Sequence, residues 1–137
     1  MLQNLYPHLL GFHGLFRWIV LAAAVAAIFV ALSGWSGANP PSANLRRFSV
    51  IFVIAMDIEF LVGLLLYFGA SPTLRNAFLT HSVLMLLAVV CAHVGGALSR
   101  KARTDLMKYR AAAIGYATSL LLMLAGIPWR SLLRLGS

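Results

Sequence analysis

Four histidines, two acids inside one apolar run and an arginine at the head of another are the residues of this 137-residue chain that can do chemistry. His13 and Arg17 stand just before the uncharged run Ile19 to Leu32, and His81 opens a second long run, Phe78 to Leu98. Asp57 and Glu59 interrupt a third, Phe48 to Phe68. Ionisable side chains within apolar spans are costly, so each is a candidate for function. Two imidazoles brought from different helices to one depth can hold a b-type haem, one on each face of the iron, with the propionates turned towards a cation or the aqueous boundary. Arg17 lies one turn beyond His13 and about 40° around the helix, on the same face, where it can pair with a propionate. The plain alternative is a pair of interfacial histidines and a snorkelling arginine, all close enough to water to need no cofactor.

The other polar groups sort by position. His93 is twelve residues beyond His81, about 18 Å along a helix, so it belongs to the opposite layer and is expected to bond across to a neighbouring helix. Gly95 and Gly96 follow it and allow close backbone approach. Asp57 and Glu59 are about 200° apart on a helix, so they face different neighbours and do not form a two-carboxylate catalytic pair. Glu59 can reach towards Arg17 and the histidine layer, and Asp57 towards another helix or another subunit; a proton relay is a further role open to them. His8 is about 140° from His13 if the helix extends that far, which makes it the poorer ligand. Cys91 is the only cysteine, so a disulfide within the chain is excluded, and its plain reading is a small buried hydrophobe.

These residues need elements to position them. With 61% apolar and 10% charged residues, the chain reads as an integral membrane protein and not as a disordered or soluble one. The apolar runs predict a single all-α domain over residues 1–137, a transmembrane four-helix antiparallel bundle with helices at about 13–33, 48–68, 78–98 and 111–128. Arg17 followed by Ala31-Leu-Ser-Gly imitates a signal peptide, but we expect the segment to be retained as the first span. A net charge of +8 invites a nucleic-acid reading. The cations, however, concentrate in the connections between apolar runs, where topology requires them, so no nucleic-acid partner is expected. Seven of them (Arg46, Arg47, Arg100, Lys101, Arg103, Lys108 and Arg110) fall on one side, against Arg75, Arg130, Arg134 and Arg17 on the other. The seven-residue side is therefore expected in the cytoplasm and both termini outside, in a bacterial inner membrane.

The segments His13-Gly-Leu-Phe-Arg17-Trp18, Leu61-Val-Gly-Leu-Leu-Leu-Tyr-Phe68, Arg75, His81-Ser-Val-Leu-Met85, Ala92-His93-Val-Gly95 and Ile127-Pro128-Trp129 run through nearly the whole chain. In them the chain resembles the small four-helix bacterial membrane proteins known as cytochrome b-like. The resemblance implies a b-haem carrier, or a degenerate relative that keeps the helices as a subunit of a larger redox complex. Two functions follow as expectations. One is an electron-transfer subunit using haem b on His13 and His81, with a quinone as a candidate partner. The other is an accessory subunit without haem that packs against larger membrane proteins and lipid. No hydrolase triad, P-loop or dinucleotide fingerprint occurs, so an independent enzyme on soluble substrates is not expected.

Overall fold

The structure, a computed structural model, describes residues 2–37 and 42–129, which form five helices: α1 Leu2–Trp35, α2 Ser42–Gly69, α3 Pro72–Ala77, α4 Leu79–Lys101 and α5 Asp105–Gly126. No strand occurs among them. α1 packs on α2 and α5, and α4 packs on α5 and α2, so the four long helices close a ring in the order α1, α2, α4, α5. Neighbours in the ring run in opposite directions. His13 lies against Gly63 and Tyr6 against Gly69 across α1 and α2, while Gly126 lies against Met85 and Gly95 against Gly115 across α4 and α5.

The helices are longer than the apolar runs suggest. α1 begins at residue 2 rather than near 13 and holds Pro7 within its second turn, a place where few backbone donors are lost. The expected turn Gly69 to Asn76 contains α3, which Ser71 caps by accepting from the Leu74 amide, with Pro72 as its first residue. The basic loop expected over residues 99–110 shrinks to Ala102–Thr104, because α4 runs on through Arg100 and Lys101, and Thr104 caps α5 directly ahead of Asp105. Arg46 and Arg47 are likewise in the first turns of α2. Arg130 and Arg134, which entered the charge count, lie outside the described residues.

Three helices are long and apolar enough to cross a membrane, Asn4–Trp35, Ala43–Gly69 and Leu79–Lys101. α5, the fourth expected span, is not among them. Its opening turns carry Asp105, Lys108 and Arg110, and the rest includes Tyr116, Thr118 and Ser119, so its composition falls short of the other three.

Burial follows small residues. Val20, Ala24, Ala27 and Ala31 form the inner stripe of α1, Ala88, Ala92, Gly95 and Ser99 that of α4, and Ala112, Tyr116, Ser119 and Met123 that of α5. The bulky side chains point outward, as with Leu15, Phe29, Phe68 and Leu121, all about two-thirds exposed or more. Small residues inside and large apolar ones outside let backbones approach closely, and leave an apolar surface far larger than an ordinary soluble monomer shows. Phe52 and Tyr116 fill the centre, edge to face with ring centroids 5.3 Å apart. At the basic end, Arg110 lies over the Trp35 ring and the Tyr109 ring covers Gly34.

Ser119 is fully buried and donates its hydroxyl to the Ala88 carbonyl at 2.8 Å, tying α5 to α4. Ser119→Ala removes this bond and leaves the carbonyl its bond within α4. The expected cost is about 1 kcal/mol, read as a small drop in thermal midpoint in detergent with unchanged helicity.

Candidate functional site

Helix geometry brings His13 and His81 together. They come from α1 and α4, which face each other across the ring, and their imidazoles stand 6.2 Å apart between centroids with planes at 85°. Depth counted along the helices therefore places the two residues correctly. Their planes and tautomers depend on the other two long helices.

α5 ends at Gly126 because Ile127 turns extended and Pro128 has no amide hydrogen. The last carbonyls of the helix are consequently available. The Ile127 amide donates to Met123, the Trp129 indole donates to Leu124, and the Gly126 carbonyl accepts from His81 Nδ1 at 2.7 Å. A carbonyl can only accept, so Nδ1 carries the hydrogen and Nε2 presents its lone pair. On the other side, His13 Nδ1 is 3.1 Å from Glu59 Oε1 on α2. The approach is off the line of a good hydrogen bond, so the contact is one of proximity to a carboxylate. Gly63, one turn beyond Glu59, makes room for the His13 ring, since a Cβ there would sit 3.2 Å from His13 Cε1. Phe78 flanks His81 with its ring centroid at 6.5 Å.

Arg17 and Glu59 complete the layer, and both are close enough to act electrostatically on His81. Four buried side-chain polar atoms among the described residues lack a hydrogen bond, and three belong here: His13 Nδ1, Arg17 Nε and Glu59 Oε2. Buried polar atoms are normally satisfied, so this concentration sets the layer apart from the rest of the interior. Arg17, near the middle of α1, also lies over the Trp18 ring at 5.3 Å.

The arrangement can be tested against a metal. No group of three His, Cys, Asp or Glu side chains among the described residues is placed to hold an ion; two imidazoles are the donor set of porphyrin iron, which arrives with its other ligands in place. The Nδ1 bond of His81 to a carbonyl is of the kind that orients metal-binding histidines elsewhere. Two imidazoles with a guanidinium nearby are, by type, the donors and the cation that a haem and its propionates take.

His93 is on the opposite layer, as expected. Its Nδ1 lies 3.0 Å from the Val89 carbonyl and its Nε2 3.4 Å from Asp57 Oδ2 on α2. Asp57 and Glu59 do face different neighbours, α4 and α1 respectively. His8 is exposed on α1 and apart from this layer. Sequence reasoning missed Gly126, which acts through its backbone; Pro128, two residues on, is the signal that could have marked its carbonyl as free. An open apolar recess of about 590 Å³ along α1, lined by Trp18, Leu21, Ala22, Val25, Ala26 and Phe29, contains none of these groups. No family model, curated protein or solved structure matches the chain.

Proposed function

We propose that the four long helices cross a bacterial inner membrane as an antiparallel bundle, and that the chain is an electron-transfer protein or redox-complex subunit carrying one b-type haem between His13 and His81. The observation that carries this reading is the pair of perpendicular imidazoles from α1 and α4, one with its Nδ1 bonded to the Gly126 carbonyl and the other beside the Glu59 carboxylate. When bound, haem supplies a one-electron couple. The chain's own contribution is positional and electrostatic. Gly126 sets the His81 tautomer, Glu59 stands beside His13, Arg17 provides a cation for a propionate, and the apolar helices exclude water around the group. The electron's source and destination are partners, with a quinone or another subunit in the membrane as candidates. A visible spectrum of detergent-purified protein, oxidised and then dithionite-reduced, tests this. A b-type difference spectrum is the expected result. Its absence in cells with ample haem would discard the cofactor and favour an accessory subunit that uses only the apolar surface.

The membrane reading has its own test. The cations Arg46, Arg47, Arg100, Lys101, Arg103, Lys108 and Arg110 gather at the end of the helices remote from His13 and His81, which orients that end to the cytoplasm. In a Cys91→Ser background, an impermeant thiol reagent applied to intact cells should label Thr73→Cys and spare Arg103→Cys. The reverse pattern overturns the topology.

A further inference from the structure

Asp57 and His93 are left out of the haem site and are unusual in their own right. Asp57 is near the middle of the apolar run of α2, and His93 is more than a turn inside that of α4. Yet the pair is turned outward, with 41% of the aspartate side chain and 48% of the histidine side chain exposed. Around them the same helix faces are apolar and open: Ile54 and Leu61 one turn either side of Asp57, Leu86 and Val90 on the turns before His93, each about half exposed. An acid and an imidazole facing hydrocarbon have no water to satisfy their remaining lone pairs and protons, and such groups are normally turned to protein.

The pair itself specifies what would cover it. Two copies inserted in the same orientation can be related by a two-fold axis only along the membrane normal, and such an interface places each patch against itself. Asp57 and His93 lie side by side at one depth on adjacent helices. Rotation by half a turn about that normal exchanges left and right while keeping depth, so Asp57 of one copy comes opposite His93 of the other, and the reverse. The charge pattern is self-complementary. We propose that the chain forms a two-fold dimer through the outer faces of α2 and α4, with Asp57 and His93 of both copies closing a ring of four alternating acids and imidazoles. This rests on the membrane reading above and is independent of the haem.

The test is crosslinking in native membranes with a short thiol-reactive crosslinker, in a Cys91→Ser background. Leu61→Cys and Val90→Cys should each give covalent dimers, and Leu121→Cys, on the exposed face of α5, should not. Asp57→His and His93→Asp chains expressed separately should lose the dimer through like-charge contacts, and should regain it as a mixed dimer when expressed together with different tags. If the exchanged chains do not accumulate, Asp57→Ala combined with Leu61→Cys carries the test, with about a tenfold loss of dimer expected from two missing polar contacts. Monomers that stay in the membrane, dimers linked only through position 121, or an undiminished dimer in Asp57→Ala would each overturn the proposal. So would a different protein captured at positions 61 and 90 in place of a second copy. Release of the chain by carbonate washing would instead remove the membrane reading on which the proposal rests.

Discussion

Purified His13→Ala and His81→Ala proteins should each lose the b-type difference spectrum, while His93→Ala should keep it at wild-type intensity. The first two changes leave at most one protein nitrogen for an iron that the proposed site holds by two. His93 cannot replace either, because it sits twelve residues from His81, about 18 Å along α4, and is engaged with Asp57 and the Val89 carbonyl. Glu59→Ala should have an intermediate effect. It keeps both ligands but frees the His13 ring to turn, and loss of such an orienting partner typically weakens metal binding about 10- to 100-fold. Retention of full haem by both His13→Ala and His81→Ala would move the cofactor elsewhere. Equal loss in His93→Ala would point to a general failure of assembly.

The second large effect is expected where α4 crosses α5. A Cβ built on Gly95 would lie 2.7 Å from the Gly115 Cα and 3.4 Å from the Ala111 carbonyl oxygen. Both are backbone atoms, which cannot swing aside as a side-chain end does. Gly95→Leu therefore has to push the two helices apart along their whole contact, and breaks up the buried stripe of Ala88, Ala92 and Ser119 as it does so. A cost of at least about 3 kcal/mol is expected, at or beyond the upper end of ordinary overpacking. In practice the variant should fail to accumulate or should melt far below the wild type. Gly11→Leu is the control: nothing lies within 4 Å of the position its Cβ takes, and its melting temperature should stay near that of the wild type. Similar melting of the two variants would mean that the helices do not cross where the glycines meet.

Much of the site was legible because helices convert sequence distance into depth. Counting from the connections placed His13 and His81 in one layer and His93 in the other, and the angle between Asp57 and Glu59 assigned them to different neighbours. Gly95 and Gly96 announced a close crossing because few other reasons put two glycines inside a span. What stayed hidden depended on features that hydropathy does not encode. The polar start of α1 and the basic turns of α4 and α5 are helical although not apolar, so a search for apolar runs ended the helices too early. Tyr109, buried over Gly34, owes its place to helix rotation. The acceptor for His81 is a main-chain carbonyl, and no scan of side chains for partners would find it. Its availability follows from how α5 terminates.

That terminus has a consequence for synthesis. Both histidines leave the ribosome before α5 does, and for that interval the chain holds two ligands whose rings nothing from α5 orients. Only when Gly126 has emerged and α5 has docked does His81 find the acceptor that fixes its tautomer. Completion of the site thus waits on the last of the long helices, and a chain cut short before α5 would carry every candidate ligand and still offer no finished place for a cofactor.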